Sequence, residues 1–155
     1  MRKRVAVLGT GIMGTSLALM LARRGVEVHV FDKGSSPIGF ASRWNEGKIH
    51  LGFLYGADPT MSTAQALIPG GLIFGQIVSE LIGSDLRDHA TQGDDVYLVH
   101  SRSVVDLRTL SERLEAIERL VKAHPDAASY LSDMSRARCR PLSASELAAF
   151  TDSPE

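Results

Sequence analysis

The chain is poor in the residues that would staple it, anchor it or charge it strongly. Cys139 is the single cysteine, which excludes an internal disulfide and any multi-cysteine metal site within these residues. A reducing, cytoplasmic setting is the expectation that follows. Lys and Arg number 17 against 18 Asp and Glu, a formal net charge of −1. No excess of one sign therefore points to nucleic acid or to an anionic membrane surface. No uninterrupted apolar run has the length of a bilayer span. Metal-ligand spacing of His, Cys and Asp, internal repeats and low-complexity tracts are likewise missing. What remains is a chain of 155 residues, 44% of them hydrophobic, enough for one domain with a core, or one domain and part of another.

The informative part lies at the start. Val5-Ala6-Val7-Leu8 is an apolar run of strand type that enters Gly9-Thr10-Gly11-Ile12-Met13-Gly14. A helical pattern leaves through Leu17, Ala18, Leu21 and Ala22, and Gly25 closes it. A second apolar run, Val26 to Phe31, ends on Asp32. This is a βαβ unit with the G-x-G-x-x-G fingerprint of dinucleotide binding and an acidic residue at the expected distance. Gly9 permits the tight turn, Gly11 lets backbone approach a pyrophosphate, and Gly14 lets the helix pack on the sheet. The amides of the first helical turn, beginning at Ile12 and Met13, point at such an anion, and the helix dipole favours it. Asp32 can accept from both hydroxyls of an adenosine ribose, and its charge disfavours a 2′-phosphate.

The basic start, Met1 to Arg4, followed by apolar residues has the outline of a signal peptide. Gly9, Gly11 and Gly14, with Thr10, Thr15 and Ser16, break the apolar stretch and suit a phosphate turn better. After Asp32 the composition changes. Lys33 to Tyr55 is rich in glycine and serine without a sustained helical period, which reads as a loop whose backbone approaches a ligand.

Within that loop, Gly39, Ser42, Asn45 and Gly47 form a Gly-x-x-Ser-x-x-Asn-x-Gly pattern, and Ser42 to Tyr55 reads Ser-x-x-Asn-x-Gly-x-Ile-His-x-Gly-x-x-Tyr. From Val5 to Tyr55 the chain resembles the FAD-dependent oxidoreductases of the D-amino-acid oxidase superfamily. The second pattern is closest to that of L-2-hydroxyglutarate dehydrogenases, and flavin-type glycerol-3-phosphate dehydrogenases carry a looser version. The resemblance is specific over about the first third of the chain and schematic beyond it.

The resemblance implies roles. Gly9, Gly11, Ile12, Met13 and Gly14 would hold the pyrophosphate of FAD and Asp32 its ribose. Lys33 would line the adenine side. Ser42 and Arg43 would contact the pyrophosphate or ribityl chain, while Asn45, Gly47 and Ile49 would pass beside the isoalloxazine. Trp44 would pack over the cofactor region. His50 is the catalytic candidate, as acceptor of a substrate hydroxyl proton or as a covalent flavin attachment point. The plainer alternative is a histidine that hydrogen-bonds to backbone and positions the loop.

Farther on, Thr60 to Leu81 has a helical pattern that Pro69-Gly70-Gly71 should kink or split. Val96 to His100 reads as a strand. Ser103 to Asp106 can form a capping box for a helix through Leu107, Leu110, Leu114, Ile117 and Val121 that ends at Pro125, with Glu115 and Arg119 placed to pair. A short helix is expected over Asp126 to Met134 and a capped helical turn over Ser143 to Phe150. Arg136, Arg138 and Arg140 flank Cys139, read as solvated charges beside an unreactive thiol.

The expected architecture is α/β: a Rossmann-like FAD-binding βαβ unit within residues 1–90, then the opening of an α+β substrate domain over residues 91–155. The family's enzymes are more than twice this length, so the chain is expected to be an N-terminal portion. The expected activity is oxidation of a CH–OH or CH–NH group of a small acid or amine by hydride transfer to FAD, with a complementing chain or further copies of itself as partners. Two alternatives stay open. Ile12-Met13-Gly14 also resembles the start of NAD-linked 3-hydroxyacid dehydrogenases, and the chain could be a non-catalytic nucleotide-binding remnant or subunit.

Overall fold

The computed structural model describes residues 3–45, 47–91 and 93–152. Met1 and Arg2 of the basic start, Glu46 in the glycine-serine loop and Ser153–Glu155 lie outside them. The chain divides into two compact units, Met1–Lys48 with Leu81–Gly83, and Ile49–Glu80 with Ser84–Glu155.

In the first unit, β1 (Arg4–Leu8) and β2 (Glu27–Phe31) pair in parallel, Val5 opposite Val28 and Val7 opposite Val30. Parallel pairing requires a crossover, and α1 (Ile12–Arg23) supplies it. Gly9 takes φ +98°, a conformation open to glycine, and its N–H extends the ladder to the Phe31 carbonyl at 2.7 Å. A Cβ on Gly14 would lie 1.9 Å from the Gly9 carbonyl oxygen, so helix and turn can approach this closely only without a side chain there. Gly25, at φ +77°, ends α1 by donating to the Ala22 carbonyl at 2.9 Å. A one-turn helix, α2 (Phe40–Arg43), follows the loop after β2.

The second unit is helical. α3 (Ser62–Ile82) buries Ala64, Ile68, Leu72 and Gly75, and α4 (Leu107–Ala123) buries Ile117 and Val121. The spacing of three and four residues puts each set on one face. These faces meet Leu51 in one apolar cluster, with Phe53, Met61, Leu120, Tyr130 and Met134 packed around it. Close approach explains the small residues here: a Cβ on Gly71 would stand 2.8 Å from the His50 carbonyl oxygen.

Several expectations are corrected. Pro69 does not split α3, which runs unbroken over 21 residues. Proline removes one backbone donor, and the carbonyl it would have served belongs to Gln65 on the exposed side, while Ile68 and Leu72 hold the other side in the core. Val96 to His100 is not a strand, because none of the described residues forms a ladder with it. Asp106, rather than Ser103, caps α4, accepting from Thr109 N–H at 2.9 Å. The ion pairs along α4 are Arg108–Glu112 and Glu118–Lys122, not Glu115–Arg119. Asp126 to Met134 holds a 3-10 turn at Ala127–Ser129, and another follows at Met134–Arg136, in place of one helix. The expected turn at Ser143 does form: α5 (Ala144–Leu147) has a capping box between Ser143 and Glu146. Finally, α3 is long and apolar enough to cross a membrane by length and composition alone, a test that the core helix of a soluble protein also passes.

Candidate nucleotide site

A cleft of about 190 Å³ opens at the carboxyl ends of the two strands, lined by Thr10, Gly11, Asp32, Ser36, Gly39, Phe40, Ala41 and Ser42. Open α/β sheets bind ligands at this end of their strands. The fold brings the lining together from three places: the turn after β1, the loop after β2 and the start of α2.

Asp32 is fixed by backbone. Its Oδ1 accepts from Gly34 N–H and its Oδ2 from Thr10 N–H, both at 2.6 Å. The Gly34 amide foremost, then Thr10, holds its carboxyl below the ordinary carboxylate range, and the Lys33 charge adds to this. The carboxylate expected to meet a ribose therefore also braces the glycine turn. An ionised carboxylate offers about four lone-pair sites, so each oxygen keeps capacity for a ligand hydroxyl.

Ser42 stands at the head of α1, where its Oγ accepts from Ile12 N–H at 3.0 Å. Gly11 is the N-cap residue and provides no side-chain cap of its own. The amides of Met13 and Gly14 complete the first turn, where helix geometry supplies no intrahelical acceptor. Amide donors at a helix head beside a carboxylate are the donor and acceptor set for a diphosphate next to a ribose, and the glycines leave the backbone bare where the anion would lie. The residues present thus fit the polar part of a dinucleotide.

The remaining sequence candidates fall elsewhere. Lys33 Nζ lies over the Phe40 ring, 4.8 Å from its centre, and the Arg43 guanidinium lies over Trp44 at 5.4 Å. Trp44 is among the most exposed side chains, and neither it nor Arg43 lines the cleft. Asn45 folds back on its own loop, its Oδ1 accepting from Gly47 N–H at 2.7 Å. Ile49 and His50 belong to the second unit. The Ile49 carbonyl there accepts from the Tyr130 hydroxyl at 3.4 Å. Among the described residues, no group of three or more His, Cys, Asp or Glu is placed to hold a metal ion.

Sequence reasoning missed Thr10, Ser36, Phe40 and Ala41 as lining residues. The available signal was their position, one or two residues on from Gly9, Gly39 or Ser35 in a stretch rich in small side chains.

Comparison with known proteins gives the family. The model of the family described as FAD dependent oxidoreductase matches residues 4–152. The chain belongs to this family, which implies an FAD-binding, Rossmann-like fold. It is 29% identical over 139 residues to a zeta-carotene-forming phytoene desaturase of Myxococcus xanthus, a match covering 88% of this chain and 25% of that protein. It is 29% identical over 126 residues to a glycerol-3-phosphate dehydrogenase (NAD(P)+) of Ectopseudomonas mendocina (strain ymp), covering 79% of this chain and 36% of that protein. The chain thus spans between a quarter and about a third of the length of these curated relatives. No solved structure matches it.

Proposed function

We propose that this member of the FAD dependent oxidoreductase family carries the nucleotide-binding part of a flavoenzyme that oxidises a CH–OH or CH–NH group of a small acid or amine. What supports this reading is one observation: Gly11, Asp32 and Ser42 converge on a single cleft at the head of α1, in a chain that the family matches from residue 4 to residue 152. Flavin, where bound, accepts the hydride. The chain's own residues bind and orient. Asp32 takes the ribose hydroxyls and the α1 amides take the diphosphate, with Gly9, Gly11 and Gly14 keeping side chains out of the way. Lys33, Arg43, Asn45, Gly47 and Ile49 are the further residues proposed to follow the cofactor, and His50 is proposed to accept the substrate proton.

The finer reading places the chain nearest L-2-hydroxyglutarate dehydrogenases, on the pattern from Ser42 to Tyr55, with residues 1–90 in the cofactor domain and residues 91–155 opening the substrate domain. A reducing cytoplasm and a complementing chain or second copy belong to the same proposal. The second reading is an NAD-linked domain, favoured by Ile12-Met13-Gly14 and by the NAD(P)+ in the name of the dehydrogenase relative.

The test is the absorption spectrum of the purified chain after incubation with FAD and removal of free cofactor. Retained flavin bands, bleached by a 2-hydroxy acid or an amine from a small panel, support the flavoenzyme reading and choose the substrate class. Retention of NAD+ with no affinity for FAD overturns it in favour of the second.

A further inference from the structure

The dinucleotide reading treats the amides at the head of α1 as ligand donors, yet one of them is already committed inside the protein. Ile12 N–H donates to Ser42 Oγ at 3.0 Å, across 30 residues of sequence. Gly11 cannot cap the helix with a side chain, and a Cβ built on it would lie 3.1 Å from that same Ser42 oxygen. The bare Gly11 therefore makes room for Ser42 as well as for any ligand. The loop that delivers Ser42 is tied to the turn a second time, through Ile38 N–H to the Thr10 carbonyl at 2.7 Å. Ile38 and Phe40 on either side of Gly39 take φ of 53° and 51°, left-handed values that cost a side-chain-bearing residue energy. The two ties hold the loop against its local backbone preference. All these residues lie in one compact unit.

One N–H does not serve two acceptors at full strength. A phosphate oxygen that takes the Ile12 amide must displace the Ser42 hydroxyl. A charged acceptor forms the stronger bond, so the phosphate prevails, and the free energy of the lost cap is subtracted from its affinity. We propose that Ser42 is an internal cap competing with a nucleotide diphosphate for the Ile12 amide, so that it limits the affinity of the site rather than contributing a diphosphate contact. This rests on the dinucleotide reading above and departs from it in the role of one residue.

The experiment uses the full chain, as wild type, Ser42→Ala and Ser42→Thr, with ADP as the probe. Calorimetric titration gives affinity, and amide exchange at Ile12 reports the cap directly. Alanine removes the cap and threonine keeps a hydroxyl. The expected result is ADP binding about fivefold tighter in Ser42→Ala, a factor set by the usual worth of a helix N-cap. Ile12 should exchange faster in Ser42→Ala without ADP and become protected in both proteins with it, and Ser42→Thr should follow the wild type. Equal or weaker ADP binding by Ser42→Ala overturns the competition and leaves the nucleotide reading standing. If none of the three proteins binds ADP, the nucleotide reading fails and takes the competition with it, whatever the exchange at Ile12 reports about the cap.

Discussion

The two units of the chain are built on different terms. Among the described residues, the helical unit holds Leu51, Ala64, Ile68, Leu72, Ile117, Val121 and Ala127 in its interior. The βαβ unit holds Val7 alone, while Leu8 is 82% exposed and Phe31 55%. Yet the cleft, the Asp32 carboxylate and two of the three left-handed non-glycine residues among those described, Ile38 and Phe40, lie in the βαβ unit, the third, Met61, being in the helical unit. Side-chain packing specifies the helices. Backbone hydrogen bonds specify the site: Thr10 and Gly34 to Asp32, Ile12 to Ser42, Ile38 to Thr10. A site made of amides and short side chains needs a turn of fixed shape more than a deep core.

The contrast is tested most strongly by truncating one core residue in each unit. Leu72 is fully buried, so Leu72→Ala should cost about 2–5 kcal/mol through lost transfer energy and the cavity left behind. Val7→Ala, in the thin unit, should cost about 1–2 kcal/mol, near the transfer energy of the methyl groups alone. Urea denaturation followed by helical circular dichroism measures both. Equal costs would erase the distinction.

Glycines give the next comparison. At Gly14, with the Gly9 carbonyl 1.9 Å from a would-be Cβ, Gly14→Ala must force helix and turn apart. ADP affinity should fall at least about tenfold, the equivalent of about 1.4 kcal/mol. Gly70 sits in α3 with nothing within 4 Å of its would-be Cβ. Gly70→Ala should instead stabilise the chain by about 0.5–1 kcal/mol, because alanine has the higher helix propensity. One substitution thus carries opposite signs in the two units, read by titration in the first case and by thermal melting in the second.

Asp32 sharpens the description of the site. Asp32→Asn preserves shape but replaces one accepting oxygen with a donor, so either Thr10 or Gly34 loses its partner, and ADP affinity should drop. The pH dependence has a definite sign. The folded carboxyl titrates below its ordinary value of 3.8, so its contribution is complete above that value and is lost as pH falls through the lower folded pKa. ADP affinity of the wild type should stay level, as far as Asp32 governs it, from pH 7 to pH 5. A drop in that interval absent from Asp32→Asn would overturn the assignment of a strongly braced carboxylate.

What could be read from the sequence was local. The strand, the glycine turn, α1, its Gly25 stop and β2 each follow from residues a few positions apart, and so does the Ser143–Glu146 capping box. Some failures are themselves local choices between near neighbours, as with Asp106 over Ser103 as the cap of α4, while others turn on what lies beside a segment in the fold. Val96 to His100 has strand composition, but a strand exists only beside another strand. Pro69 is a helix breaker by type, and α3 absorbs it because the carbonyl left without a donor, that of Gln65, lies on the solvent side. The place of Asp32 beside the glycine turn was anticipated from the βαβ fingerprint and that of Ser42 through the resemblance, while the hydrogen bond from Ile12 to Ser42 was not. Nothing in the residues near Ile12 announces an acceptor 30 positions away.

A modest effect is expected in the helical unit, at the best-shielded ion pair among its described residues. The Glu118 side chain is 14% exposed; it accepts from Lys122 and from Cys139 N–H, the latter at 2.6 Å, with Arg138 Nη1 at 3.9 Å. It ties the stretch around Cys139 to α4. Burial would raise its pKa, but Lys122, the Cys139 amide and Arg138 together outweigh that, and the carboxyl titrates below its ordinary 4.5. Glu118→Gln keeps the size and an accepting oxygen and loses the charge, so it should cost about 1 kcal/mol at pH 7. The charged group's contribution is complete above 4.5 and is lost as pH falls through the lower folded pKa, so the gap between wild type and variant should hold from pH 7 to pH 5 and close only in stronger acid. Cys139 provides an independent reading. Burial first, then the Glu118 charge, pushes its thiol above the ordinary 9.0. Removing that charge lowers the thiol pKa, so iodoacetamide should alkylate Cys139 faster in Glu118→Gln at pH 8, by a factor well short of what full exposure would give, because burial remains. An unchanged alkylation rate together with an unchanged stability would mean that packing alone seats this segment.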